Sequence, residues 1–283
     1  MTVRGADVVV DGLAFPEAPR WHDGLLWVSD QHDRRVVTID GTGTVAPVLS
    51  VPGQPSGLGW LPDGRLLVVS MRDRCVLRRE GADTVVHADL SALAPGDCND
   101  MVVAATGRAY VGNFGFDLYG GERPRDTTLL VVEADGTARV AADGLGFPNG
   151  SAISPDGRTL LVGESMAGRI SAFTIADDGS LSDRREWARL DGATVDGLCL
   201  DGEGCVWAAC PATGRALRVR EGGDVIDEVR GSHPGVFACM LGGPDRQTLF
   251  LCTAPSHEPA VTLAARTGRV EAVTVDVPGA GQP

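Results

Sequence analysis

The chain has 283 residues, 43% of them hydrophobic, and a formal net charge of −13. That is length enough for a large buried core and the wrong sign of charge for nucleic acid or an anionic membrane surface as main partner. No apolar run approaches a membrane span, and the N-terminal MTVRGADVVVDGLAF lacks the apolar core of a secretion signal.

The first strand-like segment is Asp7 to Val10. A pattern follows it and recurs: a short apolar run, a polar turn with glycine, a second run, a polar break and a third run. It reads EAPRWHDGLLWVSDQHDRRVVTID from Glu17 and SGLGWLPDGRLLVVSMRDRCVLRRE from Ser56. The third copy, NDMVVAATGRAYVGNF from Asn99, is interrupted by an insertion over 115–128 before TTLLVVEADG. The fourth and fifth are NGSAISPDGRTLLVGESMAGRISAFTI from Asn149 and DGLCLDGEGCVWAACPATGRALRVREGG from Asp196. The last is weaker, ACMLGGPDRQTLFLCTAP from Ala238, followed by GRVEAVTV. Six copies at roughly 40–50 residue spacing match the period of four-stranded propeller blades. The runs are rich in Val, Leu, Ile and Trp, too short for typical helices and without a 3.6-residue period. The prediction is an all-β, six-bladed propeller occupying residues 1–283 as one domain, with four-stranded antiparallel blades. A two-domain β-sandwich chain fits the even spacing less well. Closing the ring requires a strand from each end in one sheet, so Asp7 to Val10 is expected to meet the segment from Arg269 to Val277. The seven cysteines form no CxxC pair and several lie in apolar runs. They are expected to be reduced thiols, which places the protein in the cytoplasm.

The copies align on the turn glycine. Eight residues before Gly64, Gly107, Gly157 and Gly204 stand Ser56, Asn99, Asn149 and Asp196. In the sixth copy Arg246 takes the glycine's place and the same offset reaches Ala238; in the first, one residue shorter, Glu17 precedes Gly24 by seven. The first strand of each blade lines the central channel, so these six positions are expected to form a ring at one of its ends. Any one of them is ordinary turn chemistry. Four amide or carboxylate side chains at one register, Glu17, Asn99, Asn149 and Asp196, instead predict a cation site, because the two carboxylates repel unless a cation or a proton lies between them. Hard oxygen donors suit one divalent ion, Ca²⁺ first, with Mg²⁺ or Mn²⁺ as alternatives. Zn²⁺ stays among the candidates, although a dedicated structural zinc site takes Cys or His.

The stretches FPEAPRW (15–21), NDMVVAATGRAYVGNFGFDL (99–118), FPNGSAISPDGRTLLVGES (147–165) and VDGLCLDGEGCVWAA (195–209) resemble the senescence marker protein / gluconolactonase / luciferin-regenerating enzyme family of six-bladed propellers. The four motifs occur in the family's order over nearly the whole chain. The resemblance implies a divalent cation with Glu17, Asn149 and Asp196 as protein ligands, and Asn99 beside it, touching water or substrate. It also implies lactone hydrolysis. Some gluconolactonase members carry an arginine two residues before this asparagine, used on sugar lactones; here Asp97 stands there, an acceptor in place of a donor, which speaks against that specificity.

A cation with open coordination positions polarises a carbonyl and lowers the pKa of water. Asp196 is the candidate general base, with Glu17 second and Asn99 completing the catalytic set. No GxSxG elbow and no HExxH are present. The second strands should return to the same end of the channel at Asp30, Ser70, Asn113, Glu164, Cys210 and Cys252. That places His32, Met71, Phe114 and Ser165 around the pocket, against the plainer readings of His32 as a solvated loop residue and Met71 as packing. The insertion, with Phe116, Tyr119 and Arg125, reads either as a lid for a substrate with an apolar or ring component or as cover for a sheet edge. Substrate contacts are therefore expected from Asn99, Asp97, Ser56, His32, Phe114 and Phe116. The expected partner is a small lactone or ester, with neither nucleic acid nor membrane, on a monomer or weak homodimer. Two other readings stay open: another reaction on a carbonyl substrate, such as dehydration or condensation, and a binding propeller with a structural ion.

Overall fold

A computed structural model describes residues 4–281. Six antiparallel sheets follow one another along the chain and form a six-bladed β-propeller. Each sheet begins with an inner strand: Pro16–His22, Pro55–Trp60, Cys98–Val103, Pro148–Ile153, Leu198–Asp201 and Gly235–Gly242. Every inner strand packs against the next, and the sixth packs against the first, so the circle is closed around a central channel. The apolar cores lie between blades. Trp21 of the first blade, for example, stacks on Phe250 of the sixth at 5.8 Å.

Closure occurs where it was expected. Strand Asp7–Leu13 is the outer strand of the sixth blade and pairs antiparallel with Gly268–Thr274, Asp7 opposite Ala272 and Val8 opposite Glu271. The termini also do something the repeat pattern does not encode. Arg4–Gly5 adds a parallel strand to the outer edge of the fifth blade, and Gly279–Ala280 pairs with that blade's inner strand at Leu200 and Asp201. An ion pair between Arg4 and Asp227 reinforces the first of these joints.

The alignment on turn glycines has a backbone counterpart. Gly24, Gly64, Gly107, Gly157 and Gly204 all have φ between +73° and +85°, and Arg246, which replaces the glycine in the sixth copy, adopts φ 55°. The left-handed conformation demanded by the turn is thus kept even where the residue is bulky. All seven cysteines are free and buried. One α-helix, Pro259–Ala265, lies in a connection of the sixth blade where the sequence predicts no helix. Among the described residues no helix is long and apolar enough to cross a membrane.

Candidate functional site at the channel mouth

Each inner strand is interrupted at the ring position. The pairing with the second strand slips between Glu17 and Arg20, Pro55 and Leu58, Cys98 and Met101, Pro148 and Ser151, and Val236 and Ala238. In the fifth blade Asp196 lies just before the inner strand, its N–H donating to Ala209 O at 2.9 Å. Bulges of this kind re-aim side chains and are frequent beside active sites. The bulges at Glu17, Asn99 and Asn149, with the segment leading into the fifth inner strand at Asp196, bring these four of the six ring residues onto one cavity of about 170 Å³ at the channel mouth.

The residue after each ring member shows how closely the strands converge. A Cβ on Gly150 would lie 2.6 Å from Asp196 O and from Gly197 Cα; one on Gly197 would lie 2.7 Å from Ala238 Cα. The Asn-Gly and Asp-Gly pairs that read as turn signals are therefore glycines of close approach on inner strands.

The amide of Asn149 is oriented by its neighbours. Its Nδ2 donates to Ser165 Oγ at 3.1 Å, and Ser165 Oγ donates to Val195 O at 2.6 Å, which leaves Asn149 Oδ1 as the acceptor on offer. Asn99 presents the opposite polarity: its buried Nδ2 has no hydrogen-bond partner. Beneath the ring, Arg20 and Asp100 form a buried ion pair at 2.7 Å, Arg20 being 3% and Asp100 6% exposed. Arg20 also donates to Met101 O at 2.6 Å. The sequence reading has Asp100 in its motif but misses Arg20, whose only signal is its place in FPEAPRW.

These groups share one electrostatic environment. Burial pushes the Glu17 carboxyl up from its ordinary value to about 8, and the charge of Asp100 adds to the rise. Burial raises Asp196 in the same direction, followed by the charges of Glu17 and Asp100. Three carboxylates and one guanidinium leave two negative charges when all are ionised. A divalent cation balances that charge, and two carboxylates with an amide oxygen are hard donors of the type it takes. The donor set thus fits such an ion, although among the described residues no group of three or more His, Cys, Asp or Glu side chains converges, because the third donor is an amide.

The wall residues divide. Met71, Phe114 and Ser165 line the cavity, as does Tyr119 from the insertion. Gln31 lines it in place of His32 and Ser56: its Nε2 donates to Ser56 Oγ at 3.2 Å, so Ser56, 1% exposed, lies behind it. His32 is 5% exposed, stacked on Phe15 at 4.5 Å and paired through Nδ1 with Thr262 Oγ1 of the unforeseen helix at 2.5 Å. Burial first, then the charge of Arg72, lower its pKa to about 4, so it is a neutral packing residue. Phe116 is turned inward against Phe147, 5.8 Å between ring centres. Asp97 faces a separate groove with Arg72, Arg74 and Arg125. Ala238 is buried, and the bulge beside it presents Phe237 to the cavity instead. The second-strand exits act as clamps: Asp30 Oδ1 accepts from the N–H groups of Ala14 and Phe15 at 2.9 Å, and Glu164 Oε2 from Gly146 N–H at 2.8 Å. Each holds the segment that leads into a ring residue.

A family model described as SMP-30/Gluconolactonase/LRE-like region matches residues 15–255. The chain belongs to this family. Among its relatives, the 6-deoxy-6-sulfogluconolactonase of Pseudomonas putida is 32% identical over 292 residues, covering 98% of this chain and 96% of that protein. A pentonolactonase of Haloferax volcanii is 25% identical over 261 residues, covering 87% and 84%. Among solved structures, a calcium-binding protein, regucalcin, from Agrobacterium tumefaciens superposes with a TM-score of 0.84 at 20% identity, covering 100% of this chain and 99% of that one. That likeness concerns the fold.

Proposed function

We propose that this member of the SMP-30/gluconolactonase family is a lactone hydrolase working with one divalent cation held by Glu17, Asn149 and Asp196. The observation that carries the reading is the pairing of a desolvated acidic ring with the unpartnered Asn99 Nδ2 at one cavity. The names of the two relatives, both lactonases aligned over more than four fifths of this chain, support the reaction class. The regucalcin neighbour, described as calcium-binding, is in keeping with the ion.

When bound, such an ion supplies a Lewis acid for the lactone carbonyl and lowers the pKa of nearby water. Asp196 takes the proton of the attacking water as its oxygen bonds to the carbonyl carbon. Asn99 Nδ2 donates to the oxygen on which negative charge develops. The ring C–O bond then breaks, and the departing alkoxide recovers a proton from Asp196, giving the open hydroxy acid. Arg20 holds Asp100 in place below and limits the negative charge that Asp196 must work against. Phe15, Phe114, Phe147 and Phe237 keep bulk water away from these steps.

The test is lactone hydrolysis by the purified protein before and after chelation. Chelation should abolish turnover and a divalent ion should restore it. Asp196→Asn should lower kcat by about 100-fold or more and Asn99→Ala by about 100- to 1000-fold. Unchanged rates in the chelated protein and in both variants would overturn the reading.

A further inference from the structure

The cavity that carries the acidic floor is walled by aromatic rings in an ordered arrangement. Phe15, leading into the first blade, meets Phe237 of the sixth edge-on at 4.8 Å and 66°. Phe147, leading into the fourth blade, stacks on Phe114 of the third at 4.5 Å and 16°. In a ring of six, blades six and one lie opposite blades three and four. Two aromatic pairs thus face each other across the channel mouth, with Met71 and Leu118 adding to the wall.

Apart from Glu17, Asn99, Asn149 and Asp196, which serve the reaction, the buried polar side chains beside them are occupied. Gln31 is bonded to Ser56, and Ser165 is bonded to both Asn149 and Val195 O. The remaining polar side chains of the lining, Thr194, Tyr119 and His257, are half-buried or exposed, so hydroxyls of a polyhydroxylated substrate seated between the aromatic pairs would meet few buried partners, a loss that penalises binding. Nor does the cavity welcome an anion. No arginine lines it, the chain has no lysine, and the one histidine of the lining, His257, is exposed and lies 3.4 Å from Glu258. Arg72, Arg74 and Arg125 gather instead in the neighbouring groove with Asp97, Asp117 and Glu122. We infer that the substrate is an uncharged lactone with an apolar body, its aryl or alkyl group seated between the Phe15–Phe237 and Phe114–Phe147 pairs over the acidic ring. This rests on the lactonase reading and narrows it to a substrate class.

Two measurements on the metal-supplemented protein test it. The first compares kcat/KM for γ-phenyl-γ-butyrolactone and γ-octalactone with that for D-glucono-1,5-lactone and for 5-oxotetrahydrofuran-2-carboxylate. The apolar pair should be preferred by at least about 10-fold, and Phe114→Asn should reduce the ratio by about 10-fold, with Phe114→Leu retaining most of it. Equal or better hydrolysis of the sugar or anionic lactone overturns the inference. The second is calorimetric titration with lactams, which bind without being opened: 5-phenylpyrrolidin-2-one against D-glucono-1,5-lactam. If no lactone is hydrolysed, the lactonase reading falls, and the titration alone decides the inference. Tighter binding of the phenyl lactam by about 10-fold upholds it. Tighter or equal binding of the gluconolactam, or no binding of either, overturns it.

Discussion

Glu17 and Asp196 are buried carboxyls in like-charged company. Both bind their protons more tightly in the folded protein than in the unfolded chain, because burial and neighbouring carboxylates disfavour the charged forms. Their contribution to stability is therefore fully present below the ordinary carboxylate range and is lost as pH rises toward the raised value, about 8 for Glu17. The chelated protein should lose several degrees of Tm between pH 5 and pH 9, and a saturating divalent cation should flatten that decline. A chelated protein whose Tm holds or rises over this range, as followed by circular dichroism, would contradict the acidic ring. At this scale the sequence was informative about donors and poor about walls. A spacing of eight residues from a turn glycine, seven in the shorter first copy, placed Glu17, Asn99, Asn149 and Asp196 on one register, and all four share a cavity. His32 and Phe116 are adjacent to wall residues but point into packing, against Phe15 and Phe147. Which way a loop side chain points depends on the neighbour that receives it.

The inner strands are under a different constraint: six of them must converge without collision. Gly150 meets it by having no side chain: a Cβ there would lie 2.6 Å from Asp196 O, Gly197 Cα and Leu198 N. Gly150→Ala would press a methyl into that backbone, and overpacking of this kind costs about 1–3 kcal/mol. We expect a loss in that range by urea denaturation, with weakened divalent-ion binding, because Asn149 is carried by the same bulge. Gly41→Ala is the control, since nothing lies within 4 Å of its Cβ position, and its effect should stay within about 0.5 kcal/mol. Equal effects of the two substitutions would show that the convergence is not tight. The Arg20–Asp100 pair belongs to this scale as well. It bridges the inner strands of the first and third blades across the channel. A buried pair of this kind contributes mainly through what its loss would expose, an unpaired charge among desolvated carboxylates.

For the whole molecule the decisive event is closure. Asp7–Leu13 completes the sixth blade, and its Val10 and Leu13 are 6% and 2% exposed. Burying two such side chains is worth about 3–6 kcal/mol, or about 6–24 °C of Tm at roughly 2–4 °C per kcal/mol for a chain of about this size. Removing residues 1–13 should lower Tm by about that much or more. Truncation after Val277, which removes only the two-residue strand Gly279–Ala280, should cost less than half of it. Equal losses, measured by scanning calorimetry, would mean that closure does not depend on the N-terminal strand.

Blade number, the closing strand and the shared register of four oxygen- or amide-bearing side chains were all legible in the sequence. Each is encoded locally, by apolar runs and turns that repeat within one blade and by the need to pair two chain ends. The bulges, the Arg20–Asp100 pair, the extra strands on the fifth blade and the choice of Gln31 over His32 at the cavity were not. These come from contacts between blades far apart along the chain. There, the space left at the axis decides which side chain turns inward, and periodicity within one repeat carries no information about that space.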